Sequence, residues 1–64
     1  MVLGEKLKKA RIDAKLSLRQ AAKLMELKSA NSIFQWENGT RKPKLENLKK
    51  LADAYKVPLQ DLLE

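Results

Sequence analysis

Asn31 and Gln35 lie four residues apart in Ser29-Ala30-Asn31-Ser32-Ile33-Phe34-Gln35-Trp36-Glu37-Asn38. Each side chain offers a donor and an acceptor in one planar fork, the pattern that matches N6 and N7 of adenine in the major groove of a duplex. Gly39-Thr40-Arg41-Lys42-Pro43-Lys44 follows directly, a turn in which a rigid proline stands among cations suited to phosphate oxygens. Two plainer readings stand beside these. The amides could be ordinary polar surface, and the charge run could be a solvated face.

The chemistry needs elements to hold it. Advancing about 100° per residue from Ile33 puts Trp36, Glu37 and Ala30 on one side of a helix and Asn31 and Gln35 on the other. This helix is expected from Ala30 to about Asn38, with Ser29 as its N-cap and Gly39 as its C′ residue. Phe34 falls between the two sides, divided between packing and apolar contact with a thymine methyl. Trp36 shares the angle of Ile33 and reads as core. Glu37 points inward, where a carboxylate needs a partner.

The rest of the chain reads as four more helices. Leu3, Leu7, Ala10, Arg11 and Ala14 form the inner stripe of the first, which ends at Lys15-Leu16. Ser17 caps a second, whose inner face is Leu18, Ala21, Ala22 and Met25, small enough in the middle for close helix approach. Leu45, Leu48, Leu51, Ala52 and Tyr55 define a fourth, with the Tyr55 hydroxyl expected to be wet. Pro58 opens a last short helix with Leu59, Leu62 and Leu63, a cluster expected both to complete the core and to join a two-fold interface. The fold class is all-α, with two short helices joined tightly as a helix-turn-helix.

Composition narrows the chemistry. In 64 residues there are 14 Lys and Arg against 8 Asp and Glu, a net charge of +6, with no histidine and no cysteine. Disulfides, zinc fingers and histidine acid-base catalysis are excluded. No Gly-rich phosphate loop or distinctive acid pair is present either, so no enzyme is expected. The basic excess lies in residues 1–15 and 38–50, and the last segment is acidic. The chain is long enough for one core and one domain, 1–64. No apolar run is long enough for a membrane span, and Met-Val-Leu-Gly-Glu-Lys lacks the h-region of a signal peptide, so a cytoplasmic protein is expected.

Taken together, Ser32-Ile33-Phe34-Gln35-Trp36-Glu37-Asn38-Gly39-Thr40-Arg41-Lys42-Pro43, Leu16-Ser17-Leu18-Arg19, Leu48-Lys49-Lys50-Leu51-Ala52 and Val57-Pro58-Leu59-Gln60-Asp61-Leu62-Leu63 resemble the helix-turn-helix domains of phage repressors and Cro proteins, the xenobiotic-response-element type. The resemblance runs from Leu3 to Leu63. It implies a compact five-helix, lambda-repressor-like domain that binds double-stranded DNA as a phage or bacterial transcription regulator, a repressor associated with the nucleoid when bound. Ala30, Asn31, Phe34 and Gln35 would read bases. Arg19, Lys23, Lys28, Ser29, Ser32, Asn38, Thr40, Arg41 and Lys42 would meet phosphates and sugars. Arg11 matches the arginine that pairs with the equivalent of Glu37, a structural pair.

The sequence departs from that pattern in places. Glu26 stands where a turn glycine is usual, and Ala22 to Ile33 is one residue longer than the commonest version, so the turn is expected to depart from the usual one. Leu18 replaces a glutamine that touches DNA backbone, with Arg19 and Lys23 as substitutes. The expected partner is a pseudo-palindromic operator bound by a homodimer, with no cofactor, metal, small molecule or membrane. The alternative is an antitoxin-like or coactivator-like protein-interaction module on the same fold. Such a module would show an apolar or acidic outer face on the third helix.

Overall fold

In the computed structural model, which describes residues 3–63, the chain forms α1 (Leu3–Asp13), α2 (Leu18–Leu24), α3 (Asn31–Asn38), α4 (Leu45–Tyr55) and α5 (Leu59–Leu63). Met1, Val2 and Glu64, which belong to the expected domain 1–64, lie outside the described residues. There is no strand among the described residues.

Local chemistry explains most helix ends. Ser17 caps α2 reciprocally: its Oγ accepts from the Gln20 N–H at 3.1 Å, and Gln20 Oε1 accepts from the Ser17 N–H at 2.8 Å. α3 begins one residue later than its sequence suggests. Ala30 is its N-cap, already helical at φ −80° and ψ −4°, and its carbonyl accepts from Phe34 N–H at 3.0 Å. Ser29 is therefore not the cap, although its Oγ accepts from Asn31 N–H at 3.4 Å, satisfying a first-turn donor from one position further out.

Left-handed residues close the helices. Gly39 ends α3 at φ 85°, while Lys15, Glu26 and Lys56 enter the same region at φ 60°, 58° and 57° despite their side chains. Glu26 thus stands in a conformation that glycine enters more easily, and residues 25–30 form the connection between α2 and α3.

α1 packs on α3 and α5, α2 on α3, and α4 on α5. Leu7, Ile33 and Leu51 are the largest fully buried side chains, joined by Ala10, Ala21, Ala22, Met25, Trp36, Leu48, Ala52, Tyr55 and Leu62. Leu45 and Leu63 are exposed, contrary to the inner faces read for α4 and α5. They stand at the first residue of α4 and the last of α5, where periodicity still marks a face but no neighbouring helix extends to cover it.

Gly4 brings α1 against the end of α3. A Cβ built there would overlap the Glu37 carbonyl oxygen and lie 2.8 Å from the Trp36 carbonyl oxygen, both backbone atoms that cannot swing aside. Alanine is better than glycine in a helix by about 1 kcal/mol, but the overlap outweighs that preference, because overpacking costs about 1–3 kcal/mol. Gly4→Ala is expected to lower the thermal midpoint; a variant melting at or above the parent would show that α1 can shift away freely.

Tyr55 is buried, not wet. Its hydroxyl has no hydrogen-bond partner among the described residues, and burial, reinforced by the nearby Glu37 carboxylate against the opposing Arg11 charge, pushes its pKa up to about 12. The unfolded chain ionises this group near about 10. Above that pH the unfolded state binds fewer protons than the folded state, so stability is complete below about pH 10 and falls as pH rises towards 12. Because Tyr55 is the single tyrosine, tyrosinate absorbance reports it directly. Tyrosinate formation should accompany alkaline unfolding, and Tyr55→Phe should lose less stability over this pH window; equal losses would place the hydroxyl in water.

Candidate nucleic-acid interface

Arg11 and Glu37 meet where α1 crosses α3. Arg11 Nε donates to Glu37 Oε2 at 2.7 Å and Nη2 donates to Oε1 at 3.2 Å, a two-pronged pair with side chains only 11% and 7% exposed. Nη1 donates to the Leu16 carbonyl at 2.8 Å, so the same guanidinium also holds the turn into α2. The hydrogen bonds that Arg11 donates to Glu37 raise the Arg11 pKa above its ordinary value, with burial opposing them. The Arg11 charge therefore persists across the pH range in which proteins fold. The pair uses the only acid of α3 and turns it away from the outer face.

The outer face of α3 is an exposed stripe of Asn31, Phe34 and Asn38. Gln35, which the sequence places opposite the core with Asn31, is half-buried, as are Ala30 and Ser32. The helix is short and its C-terminal flank is occupied: Gln35 and Ser32 share a recess with Arg41, Lys42, Lys44 and Asn47 from the loop and the start of α4.

Two cationic flanks border this stripe. At the start of α3, Arg19, Lys23, Lys28, Ser29 and Ala30 line a single concavity beside α2. Along its Ser32 and Gln35 side is the Arg41, Lys42 and Lys44 recess. The loop that carries the second flank is held by its own backbone, since Thr40 N–H donates to Asn38 Oδ1 at 2.8 Å and Arg41 N–H to the Gln35 carbonyl at 3.2 Å. Asn38 thus has one amide oxygen committed to the loop and only its NH₂ facing outward as a donor. Thr40, Arg41, Lys42, Arg19, Lys23, Lys28 and Ser29 are all exposed.

Three residues to which the resemblance assigns no contact lie beside these surfaces. Lys44 and Asn47 stand beside Arg41 and Lys42, and Lys8 of α1 borders a shallow depression with Leu18, Phe34 and Asn38. Lys44 carried a signal, being a cation in the same basic turn. Lys8 carried none, since only the fold brings α1 beside α3.

No described helix is long and apolar enough to cross a membrane. Among the described residues no group of three or more acidic residues could hold a metal ion. A family model described as helix-turn-helix matches residues 7–62. No curated protein matches the chain.

Removing one partner of a buried ion pair leaves the other charge unpaired, at a cost of about 3 kcal/mol or more. That is a large share of the stability of a small domain. Glu37→Ala should therefore lower the denaturation midpoint strongly, and any loss of ligand binding should follow the loss of fold. A variant that unfolds at the parent's midpoint would contradict the pair's structural role.

Proposed function

The chain belongs to the Cro/C1-type helix-turn-helix family of DNA-binding regulators, and on that premise we propose that it is a transcriptional repressor that reads double-stranded DNA sequence-specifically with α3 in the major groove. The observation that carries this reading is the exposed stripe of α3 set between two cationic flanks, with the only acid of the helix turned inward. A helix lying in the groove brings its flanks to the two phosphate backbones. Cations are placed there and absent from the stripe itself.

In this arrangement Asn31 and Gln35 contact base edges through their amides, and Ala30 and Phe34 offer apolar groups. Arg19, Lys23, Lys28, Ser29, Ser32, Asn38, Thr40, Arg41 and Lys42 fix register on phosphates and sugars, with Lys44 as a further cation on the loop side. The protein acts as a homodimer on a pseudo-palindromic operator, with half-sites about 34 Å apart. The resemblance to phage repressors favours repression. The cytoplasm, at the nucleoid, is where it would work. A protein-interaction module on this fold would need an apolar or acidic outer face, and apart from Phe34 the stripe is amide.

Asn31→Ala is expected to cost about 1–3 kcal/mol of binding on the best site and to relax selection at one or two base pairs per half-site. Arg41→Ala should weaken specific and scrambled duplexes alike. It should also make the slope of log affinity against log salt shallower by about one per lost phosphate contact, or about two per dimer. Site selection from a random duplex library followed by salt titrations measures both effects. Unchanged selection by the first variant would remove Asn31 from base reading, and an unchanged slope for the second would remove the loop from the phosphates.

A further inference from the structure

Phe34 is 53% exposed, the one large apolar side chain on the outer stripe of α3, between Asn31 and Asn38. The sequence leaves this ring divided between packing and contact. Its exposure decides against a core role, because Ile33 and Trp36 fill the inner face while the ring lines an open depression with Lys8, Arg11, Leu18, Glu37 and Asn38. A phenyl ring has no donor or acceptor, so it cannot read the hydrogen-bonding pattern of base edges. The major groove offers such a ring one apolar feature, the methyl group on C5 of a pyrimidine.

We infer that Phe34 is a specificity-determining residue that selects a pyrimidine C5-methyl group, supplied by thymine, at one position of each half-site. The inference rests on the DNA-binding reading above and deepens it. Asn31, one turn away on the same stripe, supplies the polar contact to a neighbouring base pair, so the two side chains divide the site into an amide-read position and a methyl-read position. Cytosine carrying a C5-methyl presents the same group and would be accepted in place of plain cytosine at the methyl-read position.

The test begins with duplexes selected from a random library by the parent protein. Each thymine is then replaced in turn by uracil, which removes the methyl group and leaves base pairing unchanged. One replacement per half-site should weaken parental binding about fourfold, the worth of one buried methyl group. At that position, 5-methylcytosine should bind better than cytosine by a similar factor. Phe34→Ala, at an exposed position, should melt like the parent, keep the parental salt slope and bind the thymine and uracil duplexes equally. If uracil is tolerated everywhere, or if the discrimination survives in Phe34→Ala, the methyl assignment is overturned while DNA binding stands. If the parent binds no duplex in a salt-dependent way, the DNA-binding reading itself falls and this assignment with it.

Discussion

The guanidinium of Arg11 holds three parts of the chain in one place. It lies on α1, donates to the turn before α2 through Leu16, and grips Glu37 near the end of α3 with two hydrogen bonds. Taking both charges out of water is expensive, and an apolar pair of similar size could stabilise the domain equally well. What a two-pronged ion pair adds is direction. Fixing the side of α3 on which Glu37 lies fixes, through the helical repeat, where Asn31, Phe34 and Asn38 point. Rotation of α3 would break the pair and at the same time withdraw Ile33 and Trp36 from the core.

Gly4 completes that clamp. Its missing side chain lets the first turn of α1 reach the carbonyls of Trp36 and Glu37, so α1 holds the C-terminal half of α3 at two levels, Gly4 and Arg11. Sharp left-handed endings at Lys15, Glu26, Gly39 and Lys56 keep the connections short enough for so few residues to enclose a core. Three of those endings use residues with a Cβ, where glycine would enter the conformation more easily. The domain therefore carries some backbone strain in its turns.

Most of the helices were legible because their apolar residues recur at helical spacing and because Ser17, Gly39 and Pro58 mark ends by mechanisms written into their own chemistry. The inward direction of Arg11 and Glu37 was legible for the same reason. Other features depend on depth, which periodicity does not report. Leu45 and Leu63 fall on the right faces of their helices but at ends that nothing covers, and Gln35 shares an angle with Asn31 yet is half-hidden by the loop after Gly39. Ser29 has the chemistry of a cap, but Ala30 is already helical and moves the start of α3 by one residue. Gly4 left no trace in the sequence because its role exists only against the backbone of a helix some thirty positions away.

α3 spans Asn31–Asn38, too short to hold helical shape alone in water, so its order comes from what it packs against. Ile33, Trp36 and Glu37 supply that order from the inner face, and Asn31 and Phe34 contribute almost nothing to it from the outer one. Asn38 differs: its amide oxygen holds Thr40, so a change there alters the loop that carries Arg41 and Lys42 as well as the surface of the helix. Within the proposed interface, base preference can therefore change at Asn31 and Phe34 with little effect on folding. A change at Asn38 alters affinity and loop order together. Because the loop is already ordered by the Asn38 and Arg41 hydrogen bonds, DNA binding would not have to supply the entropy of ordering it.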